Sequence, residues 1–324
     1  MKIEMYINDT LHERPPMGHI EANVNAWGKI SKKRMKKYCE NYDIKLSYHN
    51  EEDSYHGILD SFYYKFYQDE LLRFRSNEWY QSLSGFTYWC CATLKKIVRW
   101  YRFAESDNDT ALFVDLDILP LKFVDIRDYI KPDQLGISYA PKNASNRVYG
   151  WYDENWYDNQ WLMASAKHLS TKNNNIIQSS SMAIVNKEHA IKMLKILEKE
   201  KLNPLTEAGY KNIIEFSRNS PPSVAEVEDY VGLPYDELLL NMAMNSDEFT
   251  KPQAKAGHVG VDTSDNPSIY NLNKDLLFDI CFQQVFSPDH AAEIVDVHDM
   301  PFCHFGGAPA KQYIQHLDEL YPYE

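Results

Sequence analysis

Residues 111–122, ALFVDLDILPLK, constrain the fold more than any other stretch. Ala111, Leu112, Phe113 and Val114 form a short apolar run of the kind that fills a buried strand. The run ends on Asp115, with Asp117 two residues on. Carboxylates are rarely buried without a partner, so a pair at the end of a core strand points to something outside the strand. In open α/β sheets, the C-terminal ends of the strands open into the ligand crevice. Carboxylates on either side of one residue bracket a divalent cation if the chain turns there. Mg²⁺ and Mn²⁺ favour such oxygens and bridge to phosphates. The plainer alternative is an acidic turn in which Asp115 caps local backbone.

The flanking sequence supplies an α/β setting for this strand. Residues 2–8 read as a first strand and residues 43–49 as a second. Between them, 21–41 is a helix with an apolar stripe of Met35, Tyr38 and Cys39. Its basic run (Lys32, Lys33, Arg34, Lys36, Lys37) reads as a solvated face. Helices are predicted over 61–74, with Tyr63, Tyr64, Tyr67 and Leu71 on one face, and over 84–103. In the second of these, Lys95, Lys96 and Arg99 interrupt an apolar pattern that includes Leu94, Ile97 and Val98. Further strands are predicted at 136–140, 176–185 and 294–297. Helices are predicted at 189–202, carrying Ile191, Leu194 and Leu197, and at 238–244. A short helical piece falls near 213–214, and a terminal helix runs through Leu320. Strand, helix and strand at this spacing predict a mostly parallel, Rossmann-like central sheet flanked by helices. No repeat or linker divides the chain. The expected organisation is one domain over 1–324, with insertions near 50–103 and 190–275.

Composition narrows the function classes. A formal charge of −13 over 324 residues argues against non-specific nucleic-acid binding and against simple attraction to anionic lipid. Five cysteines without a Cys-x-x-Cys spacing fit free thiols in a reducing compartment, so a cytoplasmic location is expected. No apolar leader core and no apolar stretch of membrane-spanning length occurs. Phosphate loops of the Gly-x-x-x-x-Gly-Lys and Gly-x-Gly-x-x-Gly types are absent, as is a Gly-x-Ser-x-Gly elbow.

Several other residues carry chemistry. His304 lies in an aromatic segment just before Gly306 and Gly307, with Lys311 beyond. Imidazole with Asp115 and Asp117 is a plausible Mn²⁺ set. The glycines allow close backbone approach, and Lys311 offers a positive charge to a phosphate. Asp236 or Glu237 falls at a helix start, capping it or reaching into a site. Trp151, Tyr152, Trp156, Tyr157 and Trp161 could line a sugar pocket or anchor a loop. His49 and His56 read as surface residues.

With these pieces in place, the chain resembles a nucleotide-sugar-dependent glycosyltransferase of the A-type fold. It is most similar to the mannosyl-, galactosyl- and glucosyltransferases of polysaccharides that carry an Asp-x-Asp sugar-binding region. The resemblance rests on the strand–helix–strand start, on Asp115-Leu116-Asp117 and on His304-Phe305-Gly306-Gly307 with Lys311. Relatives carry Ser-Asp and Arg in the helix before the motif. Here Lys95 or Arg99 stands in for that Arg. The resemblance implies Mn²⁺ or Mg²⁺ on Asp115, Asp117 and His304. It implies donor contacts from Asp115, Lys95, Arg99, Gly306, Gly307 and Lys311, and catalytic carboxylates at Asp236 and Glu237. The implied reaction moves a sugar from a UDP- or GDP-linked donor to a hydroxyl acceptor such as a glycan, with retention favoured by the late histidine. The alternatives are a carbohydrate-binding or catalytically degenerate transferase-like module, and a metal-dependent phosphohydrolase.

Overall fold

Alternate residues of the first strand, β1 (Ile3–Asn8), serve two different cores. Ile3, Met5 and Ile7 pack with Met35, Tyr38 and Cys39 of helix α1 (Val24–Asn41). Tyr6 faces the opposite way. The same alternation splits β3 (Thr110–Asp115). Leu112 and Val114 join the α1 core, while Ala111 and Phe113 join Tyr6 in the second. Period-2 burial on both faces is what a central strand covered by helices requires. Each large apolar side chain buried this way contributes about 1.5–3 kcal/mol.

This is a computed structural model, and it describes residues 1–8, 24–50, 52–72, 88, 92–129, 132, 135–137, 182–219, 235–244, 246, 269–271, 277–281, 301–306, 311 and 313–322. The second core is closed by α2 (Ser54–Lys65), α3 (Tyr67–Leu72) and α4 (Lys95–Glu105), which follow β2 (Lys45–His49). It also takes in α5 (Lys187–Lys199), α6 (Glu207–Asn219) and α7 (Tyr235–Met244). The last helix, α8 (Ile314–Leu320), packs on the α1 side through Ile314 and Leu317.

The architecture is mixed α/β with a partly parallel central sheet. Among the described residues its six strands run β2-β1-β3-β6-β5-β7, where β5 is Leu135–Ile137, β6 is Met182–Asn186 and β7 is Ile269–Asn271. Three pairings are parallel (β2·β1, β1·β3 and β5·β7) and two are antiparallel (β3·β6 and β6·β5). A second sheet runs β4-β9-β8, with β4 Ile118–Pro120, β8 Leu277–Cys281 and β9 Phe302–Gly306. The order β2-β1-β3 positions the site. From β1 the chain moves outward through α1 to β2, then returns through α2, α3 and α4 to β3 on the other side of β1. Strand order therefore switches between β1 and β3, where open α/β sheets form a crevice.

Several sequence expectations change. Arg34 is not on a solvated face but is 0% exposed. Its Nε donates to Pro120 O at 2.9 Å, and its guanidinium reaches Asp318 at 2.7 Å and Tyr321 O at 2.8 Å. A guanidinium supplies that fan of donors, and burial is tolerated because they are used. His49 and His56 are also buried, at 7% and 0%. Helix α2 starts earlier than expected, because Asp53 caps it by accepting from the Tyr55 N–H. Tyr63 then faces the core and Tyr64 solvent. In α5 the Asn186 cap sets a phase that buries Ala190, Met193 and Leu197 and leaves Ile191 at the surface. The short helical piece near 213–214 is a helix of 13 residues, α6. The aromatic segment 151–161 and the strand expected at 294–297 lie outside the described residues. No helix among the described residues is long and apolar enough to cross a membrane.

Candidate functional site

The three parallel strands end in register. Asn8 lies opposite His49 on one side and Asp115 on the other. After Asp115 the chain turns through Leu116 and Asp117 and enters β4. The Asp-x-Asp motif is therefore the corner between the two sheets. It also receives the C-terminal part of the chain, because β9 pairs with β4 so that His304 lies opposite Ile118. The Phe305 N–H donates to Asp117 O at 2.9 Å, which satisfies that corner carbonyl. The backbone thus brings His304 beside the motif. Its side chain and that of Glu237 lie outside the described residues, as does Gly307. Gly306 closes β9.

Among the described residues, three carboxylates and three cations meet around this corner. Lys96 Nζ stands 2.6 Å from Asp115 Oδ2 and 3.5 Å from Asp236 Oδ2. Arg99 Nη1 is 3.4 Å from Asp115 Oδ1 and donates to Val114 O at 3.0 Å, while its Nε donates to Lys96 O at 3.1 Å. Lys311 Nζ pairs with Asp117 Oδ2 at 3.1 Å and lies 5.0 Å from the centre of the Trp27 ring. Asp236 sits in the first turn of α7, and its N–H donates to Thr93 Oγ1 at 3.3 Å. Asp115, Asp117 and Asp236 are only 8%, 9% and 1% exposed, so water screens these pairs weakly.

Burial sets the electrostatics. It would lower the Lys96 ammonium, but Asp115 and Asp236 outweigh it and hold the group above its ordinary value. Burial raises the Asp115 carboxyl, opposed by Lys96 and Arg99. At 2.6 Å we read Lys96 and Asp115 as an ion pair whose charges offset each other's desolvation.

The residues expected from sequence are distributed unevenly. Asp115, Asp117, Arg99, Lys311 and Asp236 come together at the corner. Lys95 does not. Its Nζ lies 3.1 Å from Asp60 and 3.0 Å from the Tyr88 hydroxyl. Lys96, which is not among the site residues expected from sequence, stands beside Asp115 together with Arg99. It shares a helix face with Arg99 three residues on, a spacing that could have singled it out. Among the described residues, no group of three or more His, Cys, Asp or Glu side chains could hold a metal ion. Both Asp115 oxygens are already engaged, so that residue fits a metal poorly. Asp117 pairs through Oδ2 with Lys311, whose ammonium ends a flexible side chain that can move aside.

No family model matches the sequence, and no curated protein matches it. Among solved structures, similarity is found to a glycosyltransferase involved in the glycosylation of the major capsid of PBCV-1. The TM-score is 0.40 and the identity 13%, over 98% of this chain and 100% of that one. A likeness at that level does not establish a shared fold, and the functional reading rests on the corner itself.

Proposed function

We propose that the chain is a single-domain glycosyltransferase that takes a hexose from a UDP- or GDP-linked donor and passes it to a hydroxyl of a glycan. The observation that carries this reading is the Asp115–Asp117 corner at the switch point of the sheet, with β9 and Lys311 folded back onto it. In the reaction, the bond from the anomeric carbon to the diphosphate oxygen breaks, and its electron pair leaves with the nucleoside diphosphate. The anomeric carbon bonds to the acceptor oxygen, whose proton passes to the departing diphosphate.

The chain's own groups match those needs. Lys311 supplies a positive charge to the departing diphosphate once it exchanges Asp117 for phosphate. Lys96 and Arg99 keep Asp115 fixed at the strand end as the ribose-facing carboxylate. Gly306 and Gly307 leave room for the diphosphate to approach the backbone. Asp236, carried on α7 and linked to Asp115 through Lys96, is the proposed sugar- or acceptor-facing carboxylate, with Glu237 beside it in sequence. Asp117 and His304 are the residues that would hold Mn²⁺ or Mg²⁺, which when bound stabilises charge on the leaving group. Transfer is proposed to retain the anomeric configuration.

The test is calorimetry with UDP and GDP, with and without Mn²⁺, followed by nucleotide release from a panel of UDP- and GDP-hexoses. Metal-dependent binding of one nucleotide and release from its sugars is the expected result. Sugar binding that ignores both metal and nucleotide would replace the reading with a carbohydrate-binding module. Phosphate release without sugar transfer would replace it with a phosphohydrolase.

A further inference from the structure

Glu70 of α3 is a carboxylate with 0% exposure, far in sequence from the Asp115 corner. Its Oε1 accepts from the Tyr210 hydroxyl of α6 at 2.9 Å, and its Oε2 accepts from the Tyr235 hydroxyl of α7 at 2.5 Å. Both rings are fully buried. A carboxylate this deep is costly unless strong donors reach it, and two phenols on one carboxylate meet that need at short distance. One of the two phenols has a special position. Tyr235 is the first residue of α7 and immediately precedes Asp236.

Contacts at three points, made by two segments of the chain, therefore hold the first turn of α7. Glu70 of α3 holds the Tyr235 side chain. Thr93, just before α4, accepts from the Asp236 N–H at 3.3 Å. Lys96 of α4 meets the Asp236 carboxylate at 3.5 Å and links it to Asp115. A helix turn pinned by its side chain, its backbone and its carboxylate has little freedom to rotate. Freeing one pin would shift the carboxylate, and displacements near 1 Å cost on the order of 10²-fold in rate when the group touches the reacting atoms.

We infer that Glu70 and Tyr235 are positioning residues, which act through the first turn of α7 to set Asp236 against the Lys96–Asp115 pair. The inference rests on the transferase reading and on Asp236 facing the sugar. Tyr210 provides the matched control. It gives the same carboxylate a phenol of the same kind but belongs to α6, away from Asp236.

The experiment compares Tyr235→Phe and Tyr210→Phe, each in the full chain, alone and combined with Asp236→Asn. Melting temperature, UDP and GDP affinity in Mn²⁺, and kcat and KM for nucleotide release from the sugar donor are measured. Both Phe variants are expected to lose similar stability. Only Tyr235→Phe should lower kcat, by about tenfold or more, with KM and nucleotide affinity little changed. In the Asp236→Asn background, Tyr235→Phe should cost nothing further in kcat, because its effect runs through that carboxylate. Equal kcat losses from the two Phe variants, or a Tyr235→Phe loss that adds in full to that of Asp236→Asn, overturns the positioning role and leaves the transferase reading intact. A wild-type protein that binds neither nucleotide and turns over no sugar donor overturns the transferase reading, and the inference with it.

Discussion

Lys96 and Asp115 meet at 2.6 Å across the junction of α4 and β3, with both side chains 11% exposed. Arg99, one helical turn along α4, closes on the other oxygen of the same carboxylate. Asp115 is thus fixed at the end of β3 by two cations from one helix face, while Asp117 pairs with Lys311 from the C-terminal region. The two carboxylates of one motif pair with different cations, and their substitutions should separate.

Removing Lys96 leaves Asp115 and Asp236 as two deeply buried carboxylates short of one cation. Breaking such a pair by deleting one partner costs about 3–5 kcal/mol. Lys96→Met should lower the stability found by urea denaturation by that order. Lys96→Arg, which keeps the charge and can bridge two carboxylates, should recover most of it. A Lys96→Met protein as stable as wild type would show that the pair contributes nothing net.

Arg34 should behave differently, because its role is geometric. It joins α1 to Pro120 at the end of β4 and to Asp318 and Tyr321 at the C-terminal helix. Lysine keeps the charge but cannot present a planar fork to acceptors on two segments. Arg34→Lys is expected to destabilise nearly as much as Arg34→Met, by roughly 2–4 kcal/mol, since each leaves buried carbonyls without donors. A Lys variant within about 0.5 kcal/mol of wild type, the range of ordinary surface changes, would mean that charge alone suffices.

What could be read from the sequence follows from range. The alternation of Ile3, Met5 and Ile7 against Tyr6 is local, and so is the apolar run that ends at Asp115, so both strands were readable. The return of His304 to the motif came from a resemblance, and the register of β9 on β4 is its physical basis. The burial of Arg34 is not legible locally, because its acceptors lie 86 to 287 residues away. Lys95 and Lys96 are neighbours in sequence, and only the phase of α4 decides which one reaches Asp115. The burial of His49 and His56 is masked in the sequence by the acidic stretch between them, which has the composition of a solvated loop. In the fold, Asp53 within that stretch is paired with Arg102 at 2.8 Å, and Leu59 and Tyr63 of the following helix are buried.

Asp117→Asn tests the other half of the motif. Without nucleotide the change removes the partner of Lys311, a pair with 16% and 13% side-chain exposure, and should cost on the order of 1 kcal/mol. With Mn²⁺ and nucleotide present the loss should be far larger in affinity, about tenfold or more, as for removal of one charged ligand. Calorimetry with and without the ion separates the two effects. Unchanged nucleotide affinity alongside lost stability would mean that Asp117 serves the corner alone.

Acid should weaken the fold through His56 before it reaches the carboxylates. Burial, with the Lys95 charge adding to it, pushes the His56 imidazole down from 6.5 to about 4. Asp53 and the Asn50 carbonyl oppose that shift, and His49 reinforces it. Above about pH 6.5 neither the folded nor the unfolded chain binds this proton, and its contribution to stability is complete. Between 6.5 and about 4 the unfolded chain takes up a proton that the fold refuses. Stability then falls by up to about 1.4 kcal/mol per pH unit, roughly 3 kcal/mol over the window. His49, also lowered by burial, steepens the same limb. Asp53 acts later. Burial raises it, but Arg102 and the Tyr55 N–H bring it down to about 2, so its contribution is lost only below 3.8. Urea midpoints for wild type and His56→Gln, taken from pH 7.5 to 3, check the assignment. The variant should be less stable at pH 7.5 yet lose less between 6.5 and 4, and the two curves should converge toward pH 4. Parallel curves across that window would place the acid sensitivity elsewhere.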